Sequence, residues 1–251
     1  MHVPDGFLDV PTSAATAALA AGTVAVALRQ SRRELDDLTA PLAGLTACFV
    51  FAVQMMNFPV AAGTSGHLMG GALTAALVGP WTAVLCMTVV LLVQAVFFAD
   101  GGLVALGTNV VLVGLVTVLV GWGLLRATTA VWSRSRTAVL AGAGLGAFLS
   151  VPAAALVFTA LFAAGGVADV PVGTVAAFMT GVHGLIGLGE AAITVAVLGA
   201  VVAVRPDLVR GARHLARTGL APRTDTGRTD TVRTDTVRTD TGRLDPTGSA
   251  R

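Results

Sequence analysis

Apolar residues run through this chain in long unbroken blocks, and the polar residues that interrupt them fall in short clusters. No Asp, Glu, Lys or Arg occurs in residues 38–99, 101–125 or 137–168, and residues 170–204 carry one, Glu190. Each block holds one or more stretches of roughly 20 residues, the length that crosses a bilayer core as helix. Turn residues divide the blocks into elements. Pro11 and Thr12 predict a first helix over 12–28, and Pro41 opens a second that runs to about 56. The run 57–67, rich in Gly, Pro, Ser and Thr, argues against continuous helix. A short third helix over 68–78 ends at Gly79-Pro80-Trp81. Further spans follow over 82–98, 104–125, 137–164 and 172–204, with turns at Asp100-Gly101-Gly102 and 165–171. The expected fold class is all-α: a polytopic membrane helical bundle of about seven transmembrane helices. The third helix is the odd one, since about 11 residues at 1.5 Å each cover only half a hydrocarbon core.

Composition agrees, with 55% hydrophobic and 12% charged residues, too apolar for an ordinary soluble domain. Charge adds orientation. Arg29, Arg32 and Arg33 follow the first span, Arg126, Arg134 and Arg136 the fifth, and Arg205 the last. Seven spans put all three groups on one side, cytoplasmic by the positive-inside rule. The N-terminus and the 57–67 loop then share the outer side of the cell membrane. The chain start is polar and lacks a basic n-region, so it does not read as a signal peptide. Cys48 and Cys86 fall inside spans without CxxC spacing and read as small core hydrophobes. Basic patches interleaved with aromatic platforms do not occur, which excludes nucleic acid as a partner. Residues 223–243 repeat Arg-Thr-Asp-Thr-Gly/Val every five residues. Such a tract cannot bury enough surface to fold. The expected division is a membrane domain over 1–208 and a disordered cytoplasmic tail over 209–251.

The chemistry concentrates at the chain start. His2 is too large a second residue for the initiator methionine to be trimmed, so Met1 is expected to keep its α-amine. That amine, the amide nitrogen of His2 and Nδ1 of His2 can close adjoining five- and six-membered chelate rings on one ion. A free amine near pKa 8 loses its proton to a metal at small cost. Three nitrogens in a plane suit Ni(II), Cu(II) or low-spin Co(II). His67 is the candidate fourth ligand. Inside the spans, His183 and Glu190 lie seven residues apart on one helix face. Ionisable groups at such depth are functional candidates by default. Glu190 is open to a packing or a coupling role, and His183 to second-shell, ligand or core roles. Gln94 and Asn109 flank the Asp100 turn and are expected to hydrogen-bond the loop that presents His67. The scattered methionines read as gap fillers of the core. A rival reading takes Gly63-Thr64-Ser65-Gly66 as the Gly-x-Ser-Gly of an intramembrane serine protease, with Ser65 as nucleophile and His183 as its base. It leaves Met1, His2 and His67 unexplained. A G-x-x-x-x-G-K-[ST] phosphate loop does not occur in the sequence, which keeps a third reading open, a purely structural membrane partner.

Several stretches together resemble one family. They are Met1-His-x-Pro-Asp-Gly-Phe-Leu8, Asn57-Phe-Pro-Val-x-x-Gly-Thr-Ser-Gly-His67-Leu, Gly79-Pro-Trp81, Gln94-Ala-x-Phe-x-x-Asp100-Gly-Gly, Gly107-x-Asn109 and His183-x-x-x-Gly-x-Gly-Glu190. Over about residues 1–204 they are similar to the CbiM/NikM family, the cobalt/nickel substrate-binding membrane subunits of energy-coupling factor transporters. The resemblance implies the helical substrate-binding fold with one extra N-terminal helix. It also implies a Co2+ or Ni2+ substrate held by the Met1 amine, the His2 amide and imidazole, and the His67 imidazole. The chain would be a transporter subunit rather than an enzyme, without an intrinsic cofactor. Its partners would be a transmembrane coupling subunit, two cytoplasmic ATPases and a small accessory membrane subunit. Ser65, Gln94, Asp100, Asn109, His183 and Glu190 stand as second-shell or coupling candidates.

Overall fold

The computed structural model describes residues 2–56, 58–59, 65–132 and 135–215. All of these belong to one compact unit. Helix α1 (Val10–Gln30) starts where Asp9 accepts from the Thr12 amide at 2.9 Å, with Pro11 in its first turn. Helix α2 (Thr39–Gln54) is started by Asp36, whose carboxylate takes both the amide and the hydroxyl of Thr39, each at 2.7 Å. Those hydrogen bonds draw the Asp36 pKa down to about 2. The helix thus begins two residues before Pro41, which occupies its first turn. Strands β1 (Phe58–Pro59) and β2 (Ser65–Gly66) pair antiparallel, so the loop between α2 and the next helix is extended, as its composition suggests.

Helix α3 (Gly71–Val78) is shorter than expected, with residues 68–70 outside it. All eight residues are buried, and α2 and four later helices enclose it. A helix apolar on every side belongs inside a bundle. Its length of about 12 Å explains why it crosses only part of the membrane. It ends at Gly79, in the left-handed region at φ 99°, where any Cβ would meet the Glu34 carboxylate. Helix α4 (Pro80–Phe97) starts at once, with Glu34 accepting from the Thr82 amide at 2.7 Å.

Helix α5 (Leu106–Asn109) passes into a π-helical stretch, Val110–Val116, and then α6 (Thr117–Val131), one rod of 26 residues. The rod runs past Arg126, where the sequence suggested an end, and stops at Trp132. Helix α7 (Arg136–Gly165) contains Pro152, which cannot donate to the Phe148 carbonyl. That carbonyl faces Gly187 of helix α8 (Val172–Val204), where a Cβ would sit 2.7 Å away, so a glycine allows the two helices to touch. Among the described residues, five rods are long and apolar enough to cross a bilayer, and α2 and α3 complete the seven helical segments expected. Outward-facing Leu185 and Leu188 are exposed by 71% and 58%, as a lipid-facing surface requires.

The disordered tail expected from 209 onward falls, for residues 216–251, outside the described residues. Residues 209–215 pack on the body: Val209 and Ala212 are fully buried. Arg210 donates to the Glu34 carbonyl, and Arg213 to Asp36 and Thr39.

Candidate metal centre

The chain start is drawn into the bundle by backbone pairing. Val3 donates to Asn109 Oδ1 at 2.7 Å, and Asn109 Nδ2 donates back to the Val3 carbonyl at 3.1 Å. The Gly102 amide gives that carbonyl a second bond at 3.0 Å. Asp5 accepts from the amides of Leu103, Val104 and Ala105, the free donors ahead of α5. Phe7 stacks on Phe158 and meets Phe162 at a tilt, the three rings forming a triangle on α7. The Asp9 amide donates to Gly165 and the Val167 amide to Phe7. Residues 2–9 are therefore held between the turn after α4 and the end of α7.

This clamp sets His2. Its Nδ1 lies 2.8 Å from Asp100 Oδ1, and its Nε2 is buried without a hydrogen-bond partner. Asp100 is presented by a tight turn. Phe98 and Asp100 both donate to the Gln94 carbonyl, Ala99 sits at φ 51°, and Gly101 takes φ 93° against Asn109 and His2. The His2 ring stacks on His67, with centroids 4.3 Å apart and planes at 27°. His67 is fully buried, and its Nδ1 lies 2.8 Å from the Leu68 carbonyl. Burial pushes both imidazoles below the usual histidine range, His67 strongly; for His2 the bond to Asp100 offsets part of this. Both rings are thus neutral at pH 7, the form that binds metals.

The remaining candidates sort by place. Met1 lies outside the described residues, as does the side chain of Ser65. Asn109 holds the chain start and not, as expected, the loop that carries His67. Gln94 is fully buried, and neither atom of its carboxamide finds a partner. His183 lies on the buried stripe of α8 with Nδ1 at 2.8 Å from the Met179 carbonyl and Nε2 unpartnered. Glu190, on the same stripe, accepts from the amides of Met69 and Gly70 at 2.8 and 2.6 Å. Among the described residues, no group of three His, Cys, Asp or Glu side chains is gathered for an ion. A site built from two imidazoles and backbone nitrogens would not form such a group. Asp5 and Gln54 were not singled out from sequence. The Pro4-Asp5-Gly6 run signals a turn, but nothing local shows that Asp5 serves amides about 100 residues away.

Fold and site together define a class: a multi-pass helical membrane protein whose chain start folds inward beside a histidine of an inset loop. The chain belongs to the CbiM family, whose profile, described as the cobalt uptake substrate-specific transmembrane region, matches residues 2–208. It is 39% identical over 209 residues to a protein of Haloquadratum walsbyi provisionally named a metal transport protein, covering 83% of this chain and 93% of that one. It is 37% identical over 219 residues to a protein of Archaeoglobus fulgidus provisionally named the fused nickel transport protein NikMN, covering 83% and 68%. The crystal structure of a truncated transition metal transporter superposes with a TM-score of 0.74 at 26% identity, covering 81% of this chain and 99% of that one.

Proposed function

We propose that this chain is the substrate-capture subunit of an ATP-driven importer of Co2+ or Ni2+. The Met1 amine, the amide and imidazole of His2, and the imidazole of His67 would bind the ion. The observation that carries this is the His2 ring, its side chain 2% exposed, stacked on the buried His67 at the tip of a clamped chain start. Family membership supports the ion class. The relatives' names speak for transport, which sets aside the protease reading of Ser65 and His183.

The bond from His2 Nδ1 to Asp100 bears on how the site fills. The expected chelate needs Nδ1 on the ion. Turning the ring half a revolution about Cβ–Cγ exchanges Nδ1 with Cδ2, so the Asp100 bond and the chelate are alternatives. Asp100 then steadies the metal-free ring, and loading transfers Nδ1 from Asp100 to the ion. Capture takes place from outside, with the arginine clusters in the cytoplasm. Import is driven by two ATPases through a coupling subunit, with a small accessory membrane subunit.

The test is titration of the purified chain with Ni(II) and Co(II) beside a variant carrying one extra residue before Met1. The extension moves the amine and makes Met1 an ordinary peptide unit. Weakening by several orders of magnitude is expected. Equal affinities for the two chains would show that the amine takes no part.

A further inference from the structure

Met69 and Gly70 join the His67 loop to α3, and every backbone polar group of the pair is satisfied. The amides of Met69 and Gly70 donate to Glu190 Oε2 and Oε1 at 2.8 and 2.6 Å. The Met69 carbonyl accepts from Gln54 Nε2 at 2.6 Å. The Gly70 carbonyl accepts from the Thr74 amide and hydroxyl. Glu190 and Gln54 are themselves buried. Gly70 takes φ 77°, and a Cβ there would fall within 3 Å of both Val50 methyls, so α2 presses on this point directly. Three helices meet at one dipeptide, two residues from His67.

Glu190 sits near the midpoint of the 33-residue α8, and Gln54 is the last residue of α2. These helices have little direct packing with each other. Between them lies a small cavity lined by Phe49, Val53, Gln54, Glu190, Ile193 and Thr194. It leaves about 10 Å³ for the centre of a water-sized sphere, room for one water. Gln54 Oε1 is buried there without a partner. The connection between α2 and α8 therefore runs through Met69–Gly70 rather than through a shared apolar seam. Any change in their separation must break one of these bonds or carry the dipeptide with it.

We propose that Glu190 and Gln54 are positioning residues that make the α2–α8 separation control the hold of His67 on the ion. While both bonds stand, the His67 loop is fixed. When the helices part, the dipeptide follows one of them, His67 leaves His2, and the ion is released. This rests on the proposed His2–His67 metal site, and it assigns that site its release mechanism. The logic is that of a buried polar contact between two elements with two arrangements.

The test uses the full chain in detergent micelles with Ni(II) as probe. Glu190→Gln sets an amide group against two N–H donors. Gln54→Met removes both polar atoms at similar volume. Release into excess chelator is followed by stopped flow, and amide exchange of the 65–72 peptide is followed without metal. Each variant is expected to release Ni(II) about ten-fold faster at an unchanged association rate. Each should also lose protection at Met69 and Gly70. The double variant should release more slowly than the product of the single effects, since both side chains act on one dipeptide. A purely structural loss would lower the melting temperature and leave the release rate of the folded fraction unchanged. Wild-type release from both variants would overturn the proposal, as would wild-type release from Gln54→Met alone if Glu190→Gln does not fold. Exchange protection does not depend on the ion. Failure of the wild-type chain to bind Ni(II), with protection still lost in the variants, would therefore count against the metal site and not against the clamp.

Discussion

At the scale of single residues, the site is a matter of satisfying the backbone groups of the chain start so that the His2 ring comes to rest on that of His67. Asn109 meets the amide and carbonyl of Val3 as a strand partner would, since a carboxamide offers an N–H donor and a carbonyl acceptor at the spacing of a peptide group. Asn109→Ala is expected to weaken Ni(II) or Co(II) binding by about 2 kcal/mol, roughly thirty-fold in Kd. Titration would show this, with wild-type folding by circular dichroism as control. Burial holds the His2 and His67 imidazoles below the ordinary histidine range, His67 the more strongly. Affinity should therefore show no break at the ordinary histidine pKa. It should rise between pH 7 and 9, as the terminal amine, with an ordinary pKa near 8, loses its proton. Isothermal titration at stepped pH checks this, and a break near 6.5 would mean that water reaches the rings. The meeting of His2 with His67 was expected from the sequence, from the place of His2 in the polar chain start and of His67 in a helix-breaking run. The partners of Asn109 and the unpaired carboxamide of Gln94 were not, since both depend on contacts that no local pattern encodes.

At the scale of elements, two carboxylates do similar work at opposite ends of α3. Glu190 takes the last two amides before it begins, and Glu34 takes an amide just after it ends, in the first turn of α4. Each carboxyl group caps a helix N-terminus, where the first amides have no partner within the helix. Glu34→Ala would leave the buried Thr82 amide without a partner and is expected to cost about 1–3 kcal/mol. A lower melting temperature would show it, with ion affinity less affected than by Asn109→Ala. The charge-free blocks gave away all seven helical segments, with ends correct to within a few residues except at Arg126. One arginine does not stop a helix that has reached the interface, because its long side chain can extend to water. The role of α3 as a wholly enclosed piece could not be read from its composition, which matches that of a lipid-facing span.

At the scale of the whole molecule, the inset α3 and the folded-in chain start bring His2 and His67 together inside the bundle. The docked 209–215 segment lies against the turn between α1 and α2, where Arg210 donates to the Arg33 and Glu34 carbonyls. The proposed orientation puts the ligand end outside the cell. Leu103 and Trp132 are both well exposed and lie at opposite ends of the α5–α6 rod. A cysteine at 103 should react with a membrane-impermeant maleimide in intact cells, and one at 132 only after permeabilisation. The reverse pattern would invert the topology. The orientation expected from sequence rests on charge placement, since each arginine cluster falls where an odd-numbered span ends. The packing of 209–215 was not readable, since Val209, Ala212 and two arginines look like the start of a polar tail. The central claim is that the chain's own amine and two imidazoles take the ion. X-ray absorption of the Ni(II)-loaded full chain addresses it most directly. The expected result is a four-coordinate, all-nitrogen shell with the scattering of two imidazoles, one of which is lost in His67→Ala. A shell containing sulfur, or one built of oxygen with a single imidazole or none, would contradict it.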